Sequence, residues 1–133
     1  MGYRFASVDD LVFEERPNKE GQAPRHAANL TEQLGLQSSR ARLWRYPPHV
    51  VGRRHRDLAQ EEVFVVLEGT LTMLLGDEPE RVDLGPGAVV AVQPGTALQM
   101  RNETDHETVV FVYGAPPEQA GSDMLDDVPL PPA

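Results

Sequence analysis

The chain contains no cysteine. That excludes disulfide bonds and thiolate metal ligands, and it leaves the redox compartment undecided. No apolar run approaches the roughly 20 residues that a membrane helix requires, so no membrane partner is expected. The opening MGYRFASVDDLVFEERP reaches acidic residues by Asp9 and has no hydrophobic signal core. Cytoplasm is therefore the default expectation. Aromatic residues are few, at 6%. Basic residues are nearly missing from the second half, where residues 57–133 hold two against fifteen acids. The net charge of −9 argues against broad binding to nucleic acid or anionic lipid. No DNA-binding module is visible either.

What is present fits one soluble domain. The 133 residues are enough for a sizeable core, and 40% apolar with 25% charged content is ordinary for a globular protein. The first half carries ten basic and six acidic residues in positions 1–56. Six arginines (Arg40, Arg42, Arg45, Arg53, Arg54 and Arg56) fall in one window without an acid. Such a run forms a solvated face or partners the acidic second half. The sharper reading is that one or two of them meet an anionic ligand inside a pocket.

Three regions follow from the pattern. Residues 1–38 read as an N-terminal arm and loop. Residues 3–13 suggest a short edge strand or arm, 14–29 a polar loop with Gly and two prolines, and Ala27 to Leu36 a helical turn or two ended at Gly35. Residues 39–114 alternate short strands with Gly/Pro turns. RARLWRY places Arg40, Arg42, Trp44 and Tyr46 on one side and Ala41, Leu43 and Arg45 on the other. Further strands are expected at 63–67, 70–76, 81–84, 88–92, 97–102 and 108–113. Seven or eight short strands without a long helical period predict an all-β sandwich or small barrel. Strands 63–67 and 88–92 are apolar at both parities, which predicts burial of both faces. A homodimer would cover the outer face, closed two-fold pairs being the commonest oligomers. The alternative cover is the chain's own N-terminal arm. Residues 115–133 are proline-rich and acidic, which reads as a mobile tail.

The stretch from His49 to Gly69, HVVGRRHRDLAQEEVFVVLEG, gathers the chemistry-bearing residues. His55, Asp57 and Glu62 stand just before a buried strand, which suggests a metal or an acid/base site. His49 and His106 lie beside turns and read as exposed loop histidines.

These residues resemble the cupin family, a double-stranded β-helix of jelly-roll type. Gly52, then His55-Arg56-Asp57, then Glu62, six residues and Gly69 match the first cupin motif. Gly87, then Gln93-Pro94-Gly95, then Leu98 and Asn102 match the second. The resemblance covers roughly residues 40–114 and implies a barrel with its site inside. Metal-holding cupins use two motif-one histidines, the glutamate and a motif-two histidine. This chain keeps His55 and Glu62, but has Asp57 at the second histidine position, Leu98 at the last, and Gln93 at the usual turn proline.

The resemblance thus implies either of two sites. His55, Asp57 and Glu62 would hold a divalent transition metal (Mn, Fe, Ni or Zn), as in a metal-dependent isomerase or dioxygenase. Otherwise His55 is hydrogen-bonded to Glu62 or Asp57 without metal and serves as an acid/base group or simply lines a pocket. By parity and placement the pocket residues are Arg42, Trp44, His55, Glu62, Phe64, Leu98 and Met100. The expected function is binding of a small molecule in the barrel. A sensor that recruits a partner through its tail or arm is a third class.

Overall fold

The computed structural model describes residues 2–117 and 121–133. Within them the chain forms eleven strands, one helical turn and one 3-10 turn at Val8–Asp10. The strands are β1 (Glu14–Arg16), β2 (Arg25–Asn29), β3 (Arg40–Tyr46), β4 (His55–Asp57), β5 (Glu61–Glu68) and β6 (Leu71–Leu75). They continue as β7 (Glu80–Leu84), β8 (Val89–Val92), β9 (Leu98–Arg101), β10 (Thr108–Ala115) and β11 (Ser122–Met124). One sheet runs β1-β2-β3-β10-β5-β8 and the other β11-β4-β9-β6-β7. Every pairing is antiparallel. Two facing antiparallel sheets with this strand interleaving make the double-stranded β-helix.

Alternation of side chains decides which residues fill the space between the sheets. Trp44, Tyr46, Phe64, Val66, Leu71, Met73, Leu98, Met100, Val110 and Val112 belong to one buried cluster. A second cluster lies on the outer face of the larger sheet, where Ala28, Leu30, Ala41, Leu43 and Val109 are covered by Leu11, Phe13, Leu34 and Leu36. The chain's own N-terminal arm is therefore part of the cover. It does not reach β5 and β8, where Leu67 is 47% and Val89 63% exposed. Strand β8 was expected to be buried on both faces. It is instead the edge of its sheet, with Val89 and Ala91 facing out and Val92 buried.

Glycine is required at two positions. Gly69 turns β5 into β6 with φ +75°, and an added Cβ there would run into the carbonyl of Glu107. Gly52 lets the loop before β4 lie on β9: its N–H donates to Met100 O at 2.9 Å, and a Cβ would stand 2.8 Å from that oxygen and against the Tyr46 hydroxyl.

Both flanking segments depart from expectation. Residues 3–13 form no strand. The supposed loop 14–29 contains the β1–β2 hairpin, and β2 adds to β3 with Ala27 opposite Trp44. Local propensity is silent there, because RHAAN gains its strand state only from the waiting edge of β3. Helix α1 (Leu30–Gln33) is a single turn capped by the Asn29 side chain, and the chain turns away at Gly35 with φ +67°.

The tail was expected to be mobile, yet its described residues are engaged. Strand β11 pairs with β4, Leu125 N donates to Arg54 O, and Lys19 pairs with Asp127. Arg81 Nη1 donates to Pro131 O at 2.8 Å, and Gln99 Nε2 reaches Asp127 Oδ1 at 3.4 Å. These bonds lay the tail along the outer face of the smaller sheet, where Thr72, Leu74 and Gln99 are buried. Deleting residues 121–133 is expected to destabilise the protein by roughly 2 kcal/mol, a fall in melting temperature of about 5–10 °C. An unchanged thermal transition in the truncated chain would show that the tail does not dock. No helix among the described residues is long and apolar enough to cross a membrane.

Candidate functional site

The space between the sheets opens at one end into a cavity of about 350 Å³. Strand β3 supplies Arg40, Arg42, Trp44 and Tyr46 to its wall, because its even-numbered residues face inward. Strand β5 supplies Glu62 and Phe64 by the same alternation, and β9 supplies Leu98 and Met100. His55 and Asp57 enter from β4, whose His55 lies opposite Leu98 in the ladder. All seven residues named as pocket candidates, Arg42, Trp44, His55, Glu62, Phe64, Leu98 and Met100, thus line one cavity.

The structure adds residues that the sequence reading did not name. Arg16 and Arg25 come from the β1–β2 hairpin, and Ser122 and Met124 from β11. No local signal marks the hairpin or the tail residues, since their place depends on long-range pairing. The arginine window did carry a signal. It divides evenly: Arg40, Arg42 and Arg53 line the cavity, and the other three point elsewhere. Arg45 packs over the Phe13 ring at 4.3 Å, Arg54 bonds the tail at Asp126 O, and Arg56 pairs with Asp77 at 3.1 Å.

Trp44 is the centre of the wall. Arg25 lies 5.1 Å and Arg42 5.8 Å from its ring, and Tyr46 meets it edge-on at 5.9 Å. Arg25 also bonds Pro17 O at 3.1 Å.

Glu62 is the ionisable group most altered by this setting. Burial first, then the charge of Asp57, push its carboxyl up from 4.5 to about 7, against the opposing pull of Arg42 and Arg40. Its Oε1 is buried with no hydrogen-bond partner. A carboxyl that titrates near neutrality, with one oxygen unengaged in a cavity wall, is equipped to take or give a proton. Arg42 is held below its ordinary value by burial and by Arg16, Arg40 and Arg25.

The expected metal set does not converge. Among the described residues no three of His, Cys, Asp and Glu stand together as a group able to hold a metal ion. Asp57 explains part of this. Its Oδ1 accepts the backbone N–H groups of Ala59 at 3.1 Å and Gln60 at 2.8 Å, so it caps the turn into β5. His55 was expected to bond a carboxylate, but its Nδ1 lies 3.1 Å from Arg53 O instead. Leu98 presents a hydrocarbon wall directly across the ladder from His55. His55 Nε2 and Asp57 Oδ2 stay open, but among the described residues the three side chains do not gather closely enough to serve as the ligand set of a resident Mn, Fe, Ni or Zn ion. Of the loop histidines, His49 is exposed and pairs with Asp105 at 2.6 Å. His106 is exposed as well.

Comparison with known proteins agrees with this fold. No curated protein matches the chain. Among solved structures, a sugar phosphate isomerase of the cupin superfamily from Silicibacter pomeroyi aligns with TM-score 0.72 at 24% identity, over 84% of this chain and 74% of that one. The polyketide cyclase RemF from Streptomyces resistomycificus aligns with TM-score 0.76 at 16% identity, over 94% and 87%. A predicted oxalate decarboxylase from Thermotoga maritima aligns with TM-score 0.71 at 15% identity, over 84% and 97%. At these identities the likeness is one of fold. The family model described as a cupin domain matches residues 42–113. With that match over more than half its length, this chain belongs to the cupin family.

Proposed function

We propose that this cupin binds a small organic molecule in its barrel cavity and that Glu62 exchanges a proton with it. The observation that carries the reading is the buried, unpartnered Glu62 Oε1 in the wall of a cavity of about 350 Å³. That volume lies within the range of small-molecule sites, and the lining has their usual make-up, an apolar floor with a few polar groups. Phe64, Leu98, Met100 and Val112 form the floor, and Glu62, His55 and the arginines supply the polar groups. A ligand hydrogen-bonded to Glu62 would satisfy the orphaned oxygen, which otherwise remains a desolvated acceptor.

Trp44 provides a direct readout, because it is the only tryptophan in the chain and lines the cavity. Titration of small organic molecules is expected to change Trp44 emission and raise the melting temperature together. The affinity of such a ligand is expected to vary across about pH 5.5–8.5 with a midpoint near the Glu62 value, and Glu62→Gln is expected to flatten that dependence. A ligand whose affinity is level across that range in the unaltered protein would remove Glu62 from the role. A cavity that no compound enters would refute the binding function.

A further inference from the structure

The arginines of the cavity wall are placed against their own repulsion. Arg16 and Arg25 stand directly opposite each other in the β1–β2 ladder. Like charges in that relation destabilise a sheet. Arg42 is half-buried close behind them, and the charges of both act on it. Among the described residues none of Arg16, Arg25, Arg42 and Arg53 forms an ion pair with a carboxylate. Arg25 Nε is also buried without a hydrogen-bond partner. The chain has acids in excess, at 21 against 12 basic residues, so the lack of counter-charge here is local and not a matter of supply.

Among the described residues only two acids line the cavity with this group, Asp57 and Glu62. Asp57 spends one oxygen on backbone N–H groups, and Glu62 lies on β5 with its Oε1 buried. The cavity is also lined by apolar side chains, among them Phe64, Leu98, Met100, Val112 and Met124. The lining thus combines apolar side chains with arginines that outnumber its acids, five against two among the described residues.

From the opposed arginines, the orphaned Arg25 Nε and the apolar side chains that share the cavity with them, we infer that the cavity takes an organic dianion with an apolar body. Its two charges meet Arg16, Arg25, Arg42 and Arg53, and its body lies on Trp44 and the methionines. A dicarboxylate and a phosphate monoester share this chemistry. The inference rests on the small-molecule reading above and narrows it to a class. It also says where the preference comes from. Arg16 and Arg25 lie outside residues 42–113, and so does Met124. The family domain provides the barrel, while the added hairpin and the returning tail strand set which ligand it accepts.

The test uses the full chain and four probes at about 0.15 M salt: phenyl phosphate, phthalate, the neutral benzamide, and inorganic phosphate. Trp44 emission and thermal shift are read for each. Phenyl phosphate or phthalate is expected to bind at least about tenfold more tightly than benzamide, since hydrogen bonds to charged groups carry that much. Arg16→Gln is the chosen variant because among the described residues the Arg16 side chain has no hydrogen-bond or ion-pair partner whose loss would unfold the chain. It is expected to weaken the dianions about tenfold and leave benzamide unchanged. Equal affinity for benzamide and the dianions overturns the inference while the small-molecule reading stands. Inorganic phosphate binding as tightly as phenyl phosphate overturns the apolar body. An Arg16→Gln protein with undiminished dianion affinity overturns the role of the hairpin. If no probe binds, both the inference and the reading beneath it fall for this class of compound.

Discussion

Glu62→Gln is expected to stabilise the protein by roughly 2–3 kcal/mol near pH 8 and to leave its stability unchanged near pH 4.5. The reason is the work of holding a carboxylate in the cavity wall. The folded carboxyl titrates at about 7, against an ordinary value of 4.5. As pH rises between those values, the unfolded chain releases the proton and the folded chain keeps it. The folded state then binds more protons than the unfolded one, so stability falls with rising pH across that window and levels off above it. The sign is opposite to that of a salt-bridged carboxylate, because desolvation and Asp57 outweigh the attraction of Arg42 and Arg40. Glutamine fills the same space without a charge and has no such slope. Urea denaturation of both proteins at several pH values measures the difference directly. Parallel stability profiles across the window would mean that Glu62 is not desolvated. A residue kept at such a cost is one whose ionisation matters, which ties this prediction to the proton exchange proposed for the site.

Asn102→Ala is expected to cost about 3–4 kcal/mol, because one fully buried side chain ties three segments together. Its Nδ2 donates to Tyr46 O at 3.0 Å, Pro47 O at 3.1 Å and His106 O at 2.6 Å. Its Oδ1 accepts from Thr104 N at 3.0 Å and Thr104 Oγ1 at 2.7 Å. Alanine leaves the buried Tyr46 carbonyl at the end of β3, and the part-buried Pro47 and His106 carbonyls, without their donor. The loss is expected in denaturant midpoint with little change in slope, and the cavity end around Glu62 is expected to keep its ligand affinity in whatever fraction remains folded. A cost below about 1 kcal/mol would mean that water takes over these bonds, and that the Asn102 network is not a structural tie.

Both residues were visible in the sequence, but for different reasons. Asn102 stood at a position of the second cupin motif, and its burial follows from the turn that motif encodes. Glu62 stood in the first motif beside His55 and Asp57, where three ligand-type side chains within eight positions suggest a metal. What each of these side chains bonds in the fold has no sequence signature. Asp57 had a nearer use, capping the turn into β5 with its own oxygen. His55 found a backbone carbonyl two residues away. Spacing records which donors are close along the chain, not which acceptors reach them first.

The sequence by itself determined the barrel. Alternation in RARLWRY and LTMLL, apolar VFVVL and the punctuating glycines specify strands, faces and turns, because side-chain period and backbone sterics are local. It also determined the inner wall, since the parity of Arg42, Trp44, Glu62, Phe64, Leu98 and Met100 is a property of their own strands. Only the tertiary structure decided what borders that wall. Arg16 and Arg25 reach the cavity because an unremarkable segment adds to the edge of β3, and Ser122 and Met124 because an acidic tail pairs with β4. Edge pairing depends on which backbone donors and acceptors are left unpaired once the barrel has closed, and that is fixed in space and not along the chain.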